Sequence, residues 1–156
     1  AGTIHASGGV SINEISDWEN CGDRKTRVLL MEPDDFNRDL IALLLTSRGF
    51  TVETASNSSE ILNKYRAAHC ARTPFDIVLL DFVTARATAN TTTIEKLQTI
   101  NPTITAVALC GHHDHPIVSK PEIYGFANAL PKPVDPVALV NAILCPRNDR
   151  DVSSRT

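Results

Sequence analysis

The chain lacks the features that would suit it to nucleic acid, zinc or a bilayer. Its 15 Lys and Arg stand against 18 Asp and Glu, a formal net charge of −3, so it carries no electrostatic footprint for a polyanion or an anionic membrane surface. The four cysteines, Cys21, Cys70, Cys110 and Cys145, lie far apart with no C-x-x-C pair. That spacing excludes a zinc-type ligand set and reads as reduced thiols in the cytoplasm. No apolar run reaches the roughly 18 residues of a membrane helix. The opening AGTIHASGGVSINEISDWEN is small, polar and acidic, unlike a basic then apolar leader. The expectation is a soluble cytoplasmic chain with no nucleic-acid partner and no direct membrane contact, which a piece cut from a membrane-bound parent would also satisfy. A glycine-rich turn is missing after the first apolar run, where EPDDF stands at 32–36; a dinucleotide binder needs one so that backbone can approach pyrophosphate.

What the chain does have is repeated switching between two hydrophobic periods. With 156 residues, 42% of them apolar, one ordinary core and a single domain are expected. Residues 1–26 mix Gly, Ser, Asn and Asp and read as a linker or N-terminal extension, and 146–156 as a charged tail. Between them, 27–145 forms the domain. TRVLLME at 26–32 reads as a strand, and 35–47 as the firmest helix, with Phe36, Leu40, Ile41, Leu43, Leu44 and Leu45 at helical spacing and Gly49 just beyond. FTVETA at 50–55 alternates as an edge-side strand. Asn57 with Glu60 resembles a capping box for a helix through Ala68. FDIVLLD at 75–81 is nearly continuous apolar, as a strand covered on both faces must be.

A short helix near 92–100 ends at Asn101 and Pro102, and ITAVALC at 104–110 is a further buried strand. Pro116 and Pro121 then restrict the next helix to something short, beginning at or near Pro121, because an interior proline costs about 3 kcal/mol. ANAL at 127–130 is a brief strand, and Asp135 followed by Pro136 opens a last helix through Leu144. Five βα units with right-handed crossovers require an α/β fold, a doubly wound parallel sheet of order 2-1-3-4-5 with helices on both faces.

Three strand ends then supply a site. The first strand ends in Glu32, Pro33, Asp34 and Asp35, the third in Asp81, and the fifth before Lys132. Strands 1 and 3 are neighbours at the switch point, so Glu32 and Asp81 face one crevice. Clustered carboxylates repel one another unless a cation lies between them. Oxygen-only ligands favour Mg²⁺, which keeps several waters and takes one or two carboxylates plus a phosphate oxygen. Lys132 would neutralise a phosphoryl group on arrival. Asp35 reads as a complement to the dipole of the helix that follows, and Asp34 serves either that end or the cation.

With these residues in place, the chain resembles the receiver domain of two-component response regulators over about 27–145. VLLMEPDD matches the acidic loop, FDIVLLD the phospho-acceptor strand, VALC the strand that ends in Thr or Ser, and LPKP the Lys-Pro loop. The resemblance implies that Asp81 accepts a phosphoryl group from a histidine kinase or histidine phosphotransfer protein. It also implies that Mg²⁺ is held by Glu32, Asp34, Asp81 and the carbonyl of Val83, and that Lys132 and the residue at Cys110 meet the phosphoryl oxygens. The Lys132 to Pro133 peptide would be cis, an isomer only X-Pro bonds adopt cheaply. A parent such as a hybrid histidine kinase is implied.

The departures are equally specific. Pro33 takes the place of the carboxylate that in the family touches Mg²⁺, with Asp34 next in line. Cys110 replaces a hydroxyl with a weaker donor. Ala129 occupies the aromatic switch position, and FVTARATAN follows Asp81 without the family's usual turn. They imply a muted conformational response, and the alternative of a pseudo-receiver that keeps the fold as an interaction module without phosphorylation. A haloacid-dehalogenase-type phosphatase would need an aspartate two residues after Asp81, where Val83 stands. The run from His112 to His115 reads as a polar loop rimming the site, since adjacent residues rarely converge on one ion. Ile12, Ile15 and Trp18 suggest an amphipathic turn that docks on the domain or ends an upstream module.

Overall fold

Alternation of apolar residues along the strands, and the helical period between them, produce a three-layered α/β domain. The structure is a computed structural model and describes residues 25–82, 86–111 and 115–146, with backbone alone for 86–92. Five strands, β1 (Arg27–Met31), β2 (Thr51–Ala55), β3 (Ile77–Asp81), β4 (Ala106–Cys110) and β5 (Asn128–Pro131), form one parallel sheet in the order β2-β1-β3-β4-β5. The helices are α1 (Asp35–Ser47), α2 (Ser58–Cys70), α3 (Arg86–Ile100), the single turn α4 (Pro116–Ser119) with a 3₁₀ turn at Pro121–Tyr124, and α5 (Pro136–Leu144).

Successive strand residues point to opposite faces, and the core divides accordingly. Val28 and Leu30 of β1, Ile77 and Leu79 of β3, and Val107 and Leu109 of β4 pack with Ile41 and Leu45 of α1 and with Leu139, Ala142 and Ile143 of α5. Leu29, Met31, Val78, Leu80, Ala106 and Ala108 pack on the other face with Ile61 and Tyr65 of α2 and Ile94 and Leu97 of α3. β3 and β4 are buried at every position, which is why both read as unbroken apolar runs. Each fully buried Leu, Ile or Val contributes about 1.5–3 kcal/mol relative to exposure.

The ends of the helices follow local rules. Asn57 caps α2 by accepting from Glu60 N–H at 2.8 Å, while Glu60 Oε1 accepts from Ser56 N–H at 2.8 Å; the return bond of the capping box thus lands one residue earlier than the usual pattern. These bonds from Ser56, backbone first, hold the Glu60 carboxyl below its usual pKa. Gly49 has φ of 96°. It ends α1 in a Schellman turn, with Gly49 N–H bonded to Thr46 O at 3.0 Å and Phe50 N–H to Leu45 O at 3.1 Å.

Two elements differ from the sequence reading. α3 begins at Arg86, six residues before the expected start near 92, because Arg86, Ala87 and Ala89 have high helix propensity and outweigh the threonines and asparagine among them. The segment after β4 makes two short turns where one was expected, each opening with proline at its first positions, Pro116 and Pro121. Among the described residues no helix is long and apolar enough to cross a membrane.

Candidate functional site

The same alternation that divides the core gathers the site. Val28 and Leu30, Ile77 and Leu79, and Leu130 all point to the α1/α5 face; two residues further along each strand line stand Glu32, Asp81 and Lys132. Met31 pairs with Leu80 in the β1–β3 ladder, which brings Glu32 beside Asp81. The rung of Cys110 with Pro131 is followed by Lys132 N–H bonded to Cys110 O at 2.8 Å, which fixes where the lysine departs from the sheet. The Lys132–Pro133 peptide is cis.

Glu32 and Asp81 are completely buried, and the Lys132 ammonium lies against both. Its Nζ donates to Glu32 Oε1 at 2.9 Å and to Asp81 Oδ1. Burial alone would lower the lysine pKa, but the hydrogen bonds and charges of Asp81 and Glu32 outweigh it and hold the ammonium above its usual value. Two buried carboxylates thus share one ammonium. Two carboxylates converging at one strand-end crevice are an oxygen donor set of the kind that fits a divalent cation. Glu32 and Asp81 are the residues that would hold Mg²⁺, an ion that takes one or two carboxylates and keeps several waters.

The acidic loop is held from α1. Asp34 caps the helix, its Oδ2 accepting from Asn37 N–H at 2.8 Å, and its own N–H donates to Glu32 Oε2 at 3.1 Å. One oxygen of Asp34 is therefore committed to the cap. Pro33 has no N–H to offer here. Arg38 donates from Nη1 to the carbonyls of Glu32 at 2.9 Å and Pro33 at 3.3 Å, and from Nη2 to Asp35. The bond to Asp35 leads in raising the Arg38 pKa. Sequence reading passed over Arg38; its position three residues after Asp35, in reach on one helical face, was the available signal.

Cys110 is buried, and its side chain belongs to the cluster on the α2/α3 face, opposite the carboxylates. Val83, His112 and His113 lie outside the described residues. His115 caps α4, its Nδ1 accepting from Ile117 N–H at 3.1 Å. Its ring packs 5.2 Å from Phe82 in a cluster that includes Tyr124 and Phe126. Among the described residues no three His, Cys, Asp or Glu side chains converge as a metal cluster.

A parallel sheet of this order with Asp, Glu and Lys at its switch point defines an open α/β signalling fold. The chain belongs to the response regulator receiver domain family, whose model matches residues 28–144, and it therefore has the receiver fold of two-component signalling. Among solved structures it is similar to a response regulator receiver domain protein of Clostridium thermocellum, at 24% identity and a TM-score of 0.65 over 81% of this chain and 98% of that one. It is also similar to the Borrelia burgdorferi CheX-CheY-BeF3-Mg²⁺ complex, at 21% identity and a TM-score of 0.66 over 76% of this chain and 86% of that one. A third is the Saccharomyces cerevisiae complex of the histidine phosphotransfer protein Ypd1 with the receiver domain of Ssk1, at 21% and a TM-score of 0.60 over 76% and 86%. No curated protein matches the chain.

Proposed function

We propose that this domain accepts a phosphoryl group on Asp81 from the phosphohistidine of a histidine kinase or phosphotransfer protein, and relays the signal by protein contact in the cytoplasm. The observation that carries this is the buried Glu32–Lys132–Asp81 cluster at the ends of three neighbouring strand lines. The likeness to a receiver bound to a phosphotransfer protein supports the class of partner. A domain of this kind fits within a larger signalling chain such as a hybrid histidine kinase.

In the transfer, one Asp81 oxygen forms a bond to phosphorus as the N–P bond breaks. The imidazole, carrying a proton on its other nitrogen, leaves neutral, and the product is an acyl phosphate. Lys132 moves with its charge toward the phosphoryl oxygens, where it offsets the negative charge of the transition state. Glu32 and Asp81 would hold Mg²⁺, with Asp34 and the Val83 carbonyl as the further ligands the family pattern implies. When bound, the ion would supply charge neutralisation at the equatorial oxygens. Arg38 keeps the Glu32 and Pro33 carbonyls, and so the acidic loop, in place.

A second reading, a receiver-fold interaction module without the chemistry, draws on Pro33 and on the use of Asp34 as a helix cap. Incubation with acetyl phosphate and Mg²⁺, wild type beside Asp81→Asn, separates the two. Intact-mass measurement should show one added phosphoryl group in the wild type, lost with Asp81→Asn or on chelation of Mg²⁺. An unmodified wild type would establish the second reading.

A further inference from the structure

The α1/α5 side of the domain carries an open apolar groove of about 510 Å³ that runs from the strand-end cluster along α1. Leu40 and Leu44 of α1, Leu139 of α5, and Pro133 and Val134 form its walls. Glu32 and Lys132 mark its upper end. On α1 the apolar surface continues outward through Phe36, 72% exposed, Leu40, 52%, and Leu43, 67%, a stripe at spacings of four and three along one helical face. An apolar patch of this kind next to a polar site marks a contact surface.

We infer that this groove seats the chain's own N-terminal segment around Ile12–Trp18. The three apolar residues Ile12, Ile15 and Trp18 recur every third position, which on a helical period gathers them within an arc of about 120°. Glu14 and Asp17 fall outside that arc. These residues lie outside the described part of the structure, but the chain's point of entry is fixed. Thr51 N–H bonds to Thr26 O at 2.9 Å, so the chain enters β1 beside the start of β2. That is the end of the domain reached by α1 after Leu44. Residues 19–25 span up to about 23 Å when extended, and the 13 residues of α1 are about 20 Å long. Trp18 therefore reaches the whole groove.

Trp18 is the one tryptophan of the chain, so intrinsic fluorescence of the full chain reads its surroundings directly, whether or not Asp81 is phosphorylated. The expected result is emission shifted to shorter wavelength than N-acetyl-tryptophanamide, with acrylamide quenching reduced several-fold. Leu40→Asp, at a half-exposed position, should return both to free values, and Ile123→Asp, 68% exposed outside the groove, should leave them unchanged. As a second measurement, Trp18→Ala should move the methyl resonances of Leu40, Leu44 and Val134 through loss of the ring current. A wild-type Trp18 as exposed as the free indole overturns the inference. So do shielding that survives Leu40→Asp with the methyl resonances unmoved by Trp18→Ala, and shielding that disappears on dilution, which would identify a second copy as the occupant.

Discussion

The two halves of the sheet have fared differently. Around β1, α1 and β3, the residues that would capture a phosphoryl group are buried, paired and held: Glu32 and Asp81 against Lys132, with Arg38 on the loop carbonyls. Around β4, the α4 region and β5, the positions that the resemblance links to a response hold other residues. Cys110 turns its side chain into the opposite core, Ala129 is buried, α4 is one turn long, and the ring cluster of Phe82, His115, Tyr124 and Phe126 fills the space beside it. The contrast teaches that the proposed capture site and the surface beside it rest on different features, the one on three strand ends and the other on how flanking turns and rings pack.

The capture half breaks most severely at Lys132. Lys132→Met leaves two buried carboxylates facing one another and should cost about 3–5 kcal/mol in urea unfolding without divalent cation, with added Mg²⁺ recovering part of the loss. A loss that Mg²⁺ does not touch would mean the carboxylates are not its ligands. Arg38→Ala should cost about 1–2 kcal/mol, since two loop carbonyls lose a charged donor, and should weaken Mg²⁺ binding measured by calorimetry. Asp81→Asn moves the other way: with Lys132 still bonded to Glu32 and one buried carboxylate removed, stability should hold or rise by about 1 kcal/mol in the same unfolding assay.

On the response side, Cys110→Thr places its hydroxyl on the α2/α3 face, away from the carboxylates, so beryllofluoride affinity should change by less than about two-fold. A tightening of about five-fold, the equivalent of one ordinary hydrogen bond, would contradict that placement. The smallest effects are those of pH. Glu60 is held below its usual pKa, so its contribution is present above the unfolded value near 4.3 and is lost as pH falls through the folded one. Lys132 is held above its usual value, so its contribution is complete below about 10.4 and is lost as pH rises through the folded pKa. Glu60→Gln should flatten the acid limb of a stability profile, and Lys132→Met the alkaline limb.

Much of this was legible because period-two alternation propagates past a strand's last residue. VLLM followed by Glu32, and VLL followed by Asp81, put both carboxylates on the parity of the α1 face by residue order alone. Pro116, Pro121 and Pro136 announced short or sharply started helices for the same local reason, a fixed φ and no N–H. Less local outcomes were harder to read. The start of α3 at Arg86 came from summed propensity without a cap signal, and Asp34's cap competed with a metal role that composition cannot rank. Arg38 showed in the sequence only through its spacing from Asp35, while its bonds to the loop carbonyls needed the fold. The aromatic cluster joins Phe82 to Tyr124 across elements that only the fold brings together.

The comparison between the halves is tested most directly by amide spectra of the full chain with and without beryllofluoride and Mg²⁺. The expected shifts are large at residues 32–38, 81–82 and 132 and small across 115–131. Coordinated shifts across 115–131 as large as those at Asp81 would contradict a muted response, and an unchanged spectrum would contradict capture.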